Sequence, residues 1–415
     1  MFFFRVNQRV ELERQGMRQV LLPAKSEMAN YVTSMYDYFE IRHILGPEVG
    51  PRRLDKIPDE DWYAENESPL ELGMSNRGEY ERKRIAVSGK LPPRTAWKAL
   101  ENQFPELRGR DTLKFAIING FGVGVGDTLV GLTAWRSVRE RFLAAGFRNF
   151  ETEMWVRPSA LNNARDACEL VGTIDRINVL PMPIQSFQNC DAFWDLSGLI
   201  DRPNVSKRAT VDFFLELLGI DPTGVQRSEK RNHITLPLPV ITEVVDRLQG
   251  ITSRYIIVNP KSGDLRRDMP LDVFRELCAL LVNKTDCDVA TLVPMPKVHD
   301  RQVDLSPISG KGFKYRCAVV KRAQAVVTVD SSLYHIADAF DVPSVVIFAT
   351  ISPKLRIPYY PSMEGVPLPG LEDSQPSTDG GEDQRIDVTE MLRRWSQLNT
   401  DSVVQRLTDL MSAIR

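Results

Sequence analysis

Two short stretches hold residue types that could do chemistry. In the first, Asn119 to Thr128 read NGFGVGVGDT, which puts Asp127 behind four glycines spaced two apart. A dinucleotide fingerprint needs G-x-G-x-x-G, and its last position is Asp127 or Leu129 here. A phosphate-binding P-loop needs a lysine before Ser or Thr, and the stretch has none. An acid at the helix start would also repel a pyrophosphate. What remains is a carboxylate on a strand-to-helix turn at the mouth of a cleft, with glycines such as Gly124 and Gly126 giving a substrate close access. Asp is also a favoured helix N-cap, and the two roles are compatible.

The second stretch is VTVDSSLYHIADAFDVPSVVIFAT. Its strand ends at Asp330 and a helix begins at Ser331 or Ser332. Free N–H groups and the helix dipole at such an end make an anion site suited to a diphosphate, worth about 0.3–2 kcal/mol per charge. His335 lies one turn in, on the face of Ser331 and Ser332, whereas Leu333, Ile336, Ala337 and Phe340 face the core. The alternative for His335 is a buried, hydrogen-bonded histidine.

These residues need elements to hold them. A chain of 415 residues exceeds one ordinary core, so two or three domains are expected. From Leu113 onward, strands and helices alternate. LKFAIIN, TEMWVRP, DRINVLP and CDAFWDLSG read as strands, with helices from about Asp127 to Ala145, over SALNNARDACELVG and over TVDFFLELLGI. A second alternation follows, with RYIIVNP, DVATLVP, AVVTV and PSVVIFA as strands. Its helices run over Pro237–Leu248, Leu271–Val282, Cys317–Ala323 and Ser331–Phe340. This predicts an α/β chain of two facing, Rossmann-like, doubly wound domains with ligands at the carboxyl ends of the strands. The expected divisions are an accessory region over 1–110, a first lobe over 111–250 and a second lobe over 251–362. A flexible loop over 363–386 and closing helices over 387–415 complete the chain. The accessory region is rich in Pro, charge and aromatics (Phe2, Phe3, Phe4, Tyr36, Trp62), and a helix is expected from about Met28 to Phe39.

Lys plus Arg total 53 against 55 Asp plus Glu, without the basic excess of a nucleic-acid binder. The five cysteines are scattered and read as buried reduced thiols. Asp286-Cys287-Asp288 matches a metal-binding Asp-x-Asp string, yet it precedes a strand and reads as a solvated loop. No signal-like or membrane-spanning apolar run is present, so a cytoplasmic protein is expected.

GVGDTLVGLTAWRSVRERF resembles the opening of glycosyltransferase family 9, the lipopolysaccharide heptosyltransferases, which have the two-lobed GT-B fold. The resemblance implies Asp127 as general base on an acceptor hydroxyl. The Asp330–Ala339 stretch is similar to the family's D-[TS]-G-x-x-H-[LI]-A-[AG]-A, with Ser332 in place of glycine. VNPKSGDLRRDMP resembles a third family motif. There Ser262 takes the turn, Arg266 or Arg267 replaces a lysine that neutralises the departing diphosphate, and Met269 replaces a tryptophan. Lys261 is a weaker candidate, and Asp300 is the acid placed to hold the donor ribose. The resemblance covers roughly residues 113 to 361.

It implies an inverting glycosyltransferase without a metal or other cofactor. A heptose-like sugar would pass from a nucleotide-diphosphate sugar to a hydroxyl of a glycan or lipid-linked glycan. The competing readings are a nucleotide-sugar-binding protein that has lost turnover, and a transferase whose acceptor is a protein or a modified DNA base.

Overall fold

The computed structural model describes residues 2–6, 8–23, 30–49, 52–55, 107–196, 208–371 and 388–413. Trp62 and most of the loop expected over 363–386 lie outside them.

The amino-terminal region is a module built onto the first lobe. Strands β1 (Phe2–Arg5), β4 (Tyr31–Thr33) and β5 (Arg52–Asp55) form an antiparallel sheet in the order β5-β1-β4. Strands β2 (Val10–Arg14) and β3 (Met17–Leu21) make a hairpin, and helix α1 runs over Met35–Val49, later than the helix expected. The hairpin alternates buried Val10 and Leu12 with exposed Glu11 and Glu13, as a half-buried ribbon must. Arg14 anchors the module: its buried guanidinium pairs with Asp37 and donates to the carbonyl of Leu180 in the neighbouring lobe. Removing one partner of such a pair typically costs about 3–5 kcal/mol, since the other charge stays buried.

The first lobe holds β6 (Leu113–Ile118), β7 (Phe150–Val156), β8 (Arg176–Val179) and β10 (Ala192–Asp195), all parallel in the order β10-β6-β7-β8. Short β9 (Met182–Pro183) leaves this lobe and pairs with β4, which ties the module to it. Helices α2 (Val125–Ala144), α3 (Leu161–Val171) and α4 (Thr210–Leu217) cover the sheet. Leu132, Trp135, Val138 and Phe142 fall at helical spacing on α2, and all four are buried, as the periodicity predicts. Trp135 meets Trp194 edge-on at 4.7 Å.

The second lobe contains α5 (Leu238–Gln249), β11 (Tyr255–Asn259), α6 (Leu271–Lys284), β12 (Asp288–Thr291), β13 (Gln302–Asp304) and α7 (Phe313–Arg322). It continues with β14 (Ala325–Val329), α8 (Ser332–Asp338), β15 (Ser344–Phe348) and β16 (Met363–Pro367). Its six strands run parallel in the order β13-β12-β11-β14-β15-β16. Both faces are covered, so strands such as YIIVN and AVVTV are buried throughout rather than alternating. Helices α9 (Val388–Ser396) and α10 (Thr400–Ala413) close one face with Trp395, Val403 and Leu407.

Two expected boundaries move. Residues 363–367 are the outermost strand of the sheet, not the start of a loop. Glu243 of α5 accepts hydrogen bonds from Lys311 and from Tyr315 of α7, so α5 belongs with the second lobe. The crossing between lobes therefore lies over residues 225–237 instead of near 250.

Candidate functional site

In open parallel sheets, ligands bind beyond the carboxyl ends of the strands where the order reverses. In the first sheet that point lies between β6 and β10, and the turn with Asp127 follows β6. In the second it lies between β11 and β14. The segments carrying Ser262, Arg266 and Arg267 follow β11, and Asp330, Ser331 and Ser332 follow β14. Topology alone thus brings seven of the candidate residues to the two switch points.

Asp127 is not the helix cap. Gly124 is, without a side-chain cap bond, which puts Asp127 third in the first turn of α2. The carboxylate folds back over the turn. A Cβ at Gly124 would lie 3.1 Å from Asp127 Oδ2, and one at Gly122 3.1 Å from Asp127 Cβ. These glycines therefore make room for the acid itself. Asp127 is exposed to solvent although protein atoms crowd around its carboxyl. That crowding raises its pKa above the ordinary carboxylate value. Arg356 and Arg267 pull it down and Asp330 pushes it up, and all three come from the second lobe. Among the described residues, no hydrogen bond engages its oxygens.

The second-lobe candidates bind one another. Arg267 Nη1 donates to Asp330 Oδ2 at 2.9 Å, and the Tyr334 hydroxyl donates to Asp330 Oδ1 at 3.1 Å. Ser262 Oγ donates to the Asp330 carbonyl at 2.8 Å. Ser331 turns inward: its Oγ accepts from Asn259 Nδ2 at 3.2 Å and caps the Leu333 N–H at 3.3 Å. Arg266 forks onto Asp264 at 2.6 and 3.0 Å, and Lys261 pairs with Asp268 at 2.9 Å. Met269 is buried in the core of the second lobe, which accounts for an apolar residue there.

The helix end at Ser332 is not an open anion site. A Cβ at Gly126 would sit 3.4 Å from Ser332 Cα and 3.1 Å from His335 Cδ2, so the first turns of α2 and α8 lie against each other. His335 is 6% exposed, and burial lowers its pKa to about 3, which keeps the ring neutral. Its Nδ1 lies 2.8 Å from the Tyr360 hydroxyl.

Asp300 is displaced from the cleft. After β12 the chain returns to the opposite edge of the sheet before β13 begins, and Asp300 stands exposed just ahead of that start. The backbone carbonyl of its neighbour Arg301 accepts from the Val289 N–H near the start of β12, and the Arg301 guanidinium pairs with Asp288 at 2.9 Å. Leu292 to Lys297, at the carboxyl end of β12, include no acid. Asp286 is exposed and Asp288 bonds Thr252, as in a structural turn. Among the described residues, no group of three or more His, Cys, Asp or Glu is placed to hold a metal ion.

Sequence reasoning missed Arg356. It lies in the segment after β15, on the side of the sheet where ligands bind, and its Nη1 donates to the Thr210 hydroxyl of the first lobe. The available signal was a pair of cations between two prolines, Lys354 and Arg356 in SPKLRIP, just past a buried strand.

The profile of glycosyltransferase family 9 (heptosyltransferase) matches residues 221–378. A family 9 glycosyltransferase from Veillonella parvula superposes with a TM-score of 0.52 at 13% identity, covering 72% of this chain and 98% of that one. An ADP-heptose lipopolysaccharide heptosyltransferase II from E. coli is similar at TM-score 0.49 and 13% identity, over 73% and 99% of the two chains. No curated protein sequence matches the chain. Among the described residues, no helix is long and apolar enough to cross a membrane. Residues 221–378, which carry the Ser262 and Asp330 motifs, thus match glycosyltransferase family 9, within a chain that has the two-lobed glycosyltransferase fold.

Proposed function

We propose that the protein transfers a heptose-like sugar from a nucleotide-diphosphate sugar to a hydroxyl of a glycan, with inversion and without a metal ion. The observation that carries this reading is Asp127, an unengaged carboxylate of the first lobe set among Arg356, Arg267 and Asp330 of the second. Asp127 takes the proton as the acceptor oxygen attacks the anomeric carbon. The bond from that carbon to the diphosphate oxygen breaks on the opposite face. Arg267 and Arg356 meet the charge that grows on the leaving group, the kind of preorganised stabilisation that favours the transition state. Because Arg267 is already paired with Asp330, a bound diphosphate must share or replace that partner. Closure of the lobes around both substrates limits hydrolysis of the donor. The enzyme acts on cytoplasmic donors.

The reading in which turnover has been lost draws on the same self-pairing and on Ser332 pressed against Gly126. One experiment separates the two. ADP-, UDP- and GDP-linked sugars are screened by thermal shift, since a true donor raises the melting temperature by mass action. The best donor is then assayed for slow hydrolysis with wild type and with Asp127→Asn. Hydrolysis by wild type alone supports transfer, whereas stabilisation without turnover by either protein supports a binding protein.

A further inference from the structure

Between the lobes runs a buried polar chain that the acid–base chemistry does not use. It starts in the crossing segment, where Arg231 Nε donates to Asp338 Oδ1 at 3.1 Å. Asp338 Oδ2 accepts from the Asn232 N–H at 2.8 Å and from Asn232 Nδ2 at 3.0 Å. Asn232 Nδ2 also donates to the Tyr360 hydroxyl at 2.8 Å, and Tyr360 lies 2.8 Å from His335 Nδ1. Asn232, Asp338, Tyr360 and His335 are all buried.

The direction of each bond follows from the one before it. A carboxylate accepts only, so the Asn232 amide must turn its NH₂ to Asp338, leaving Oδ1 near the Thr133 hydroxyl at 3.2 Å. The second hydrogen of that NH₂ goes to the Tyr360 oxygen. Tyr360 has one hydrogen of its own, and among the described residues His335 Nδ1 is its remaining partner. If Nδ1 carried the proton instead, the phenol hydrogen would be buried without an acceptor.

We infer that Asn232 and Tyr360 are positioning residues that fix His335 with its proton on Nε2, on the ring edge turned toward the Asp127 turn. Nε2 is bonded to Cδ2, the atom that faces Gly126, and it has no partner among the described residues. The ring therefore carries an uncharged N–H donor beside the Asp127 turn, suited to a phosphate oxygen or a sugar hydroxyl. This role rests on the sugar-transfer reading of the cleft, but the tautomer does not.

The test uses the full-length protein with ¹⁵N-labelled histidine. The chain has 4 histidines, so substituting the other three in turn assigns His335. The long-range ¹⁵N–¹H spectrum should show a bare Nδ1 and a protonated Nε2 at pH 7 to 8, above the value of about 6 to which burial raises Asp338. Tyr360→Phe and, separately, Asn232→Ala should let the Nδ1–H form appear. Each should also lower kcat/KM for the donor about tenfold. A wild-type spectrum with Nδ1–H, or with a doubly protonated ring at pH 7, overturns the assignment even if both variants fail to fold. The expected spectrum with turnover unchanged in folded Tyr360→Phe overturns the positioning role. If wild type turns over no donor, the spectrum still decides the tautomer and only the transfer reading is lost.

Discussion

The two lobes bring their polar groups to the cleft in opposite states. The first lobe offers one carboxylate with no hydrogen-bond partner among the described residues, cleared of neighbours by glycines. The second offers a lattice of groups already bonded to each other: Arg267 to Asp330, Ser262 to the Asp330 carbonyl, Ser331 to Asn259. The difference follows from what each side must do. A general base works through a free lone pair and a pKa moved toward the working pH. A site for a polyanion must hold its cations in place before the anion arrives, and buried carboxylates do that.

The sharpest test of the contrast is Asp127→Asn, which should lower transfer by roughly 10²–10⁴-fold while leaving donor-induced thermal stabilisation intact. The same variant carries a second signature. A carboxyl whose folded pKa is raised contributes stability below its unfolded value and loses it as pH rises through the folded value. Removing the charge should therefore raise the melting temperature at pH 7 and not at pH 3. A lower melting temperature at pH 7 would break the idea that this acid is held against its own stability.

The next effect belongs to the second lobe. Arg267→Ala removes a leaving-group cation, so turnover should fall roughly 10²–10³-fold. Unlike Asp127→Asn it should also destabilise the protein, because Asp330 is left buried without its cation. Equal stability of the two variants would erase the distinction between the lobes. Gly126→Ala tests the contact between them. Its methyl would meet His335 Cδ2 at 3.1 Å and Ser332 Cα at 3.4 Å, and overpacking of this kind typically costs about 1–3 kcal/mol in urea denaturation.

The wild-type rate profile gives a finer measure. Loss of rate on acidification should centre above 3.8, the ordinary Asp value, because the protein crowded around Asp127 raises its pKa. A limb centred below that value would mean that Arg356 and Arg267 outweigh that crowding. The smallest effect is Asp300→Asn, which should change donor affinity by less than about twofold, as expected for an exposed residue away from the cleft. A larger loss would return Asp300 to the site.

What could be read without coordinates was local. Strands such as AVVTV are continuous apolar runs, and α2 shows its buried face in Leu132, Trp135, Val138 and Phe142. Both βα turns were legible for the same reason, since glycines and small polar residues punctuate those runs. Asp300 failed because counting residues past a strand does not say which edge of the sheet the chain has reached. Arg356, Asn232 and Tyr360 carried no motif.

Sequence by itself determined the alternation of strands and helices, the family the chain resembles and the place of Asp127 and Asp330 on turns after strands. These follow from backbone preference and apolar periodicity, which act within one element. The tertiary structure decided the state of each group. It left Asp127 open, turned Ser331 inward, set Ser332 against Gly126 and brought Asn232 to Tyr360 across more than a hundred residues of chain. Whether a polar atom is free or already bonded depends on neighbours distant in the chain, and packing alone supplies them.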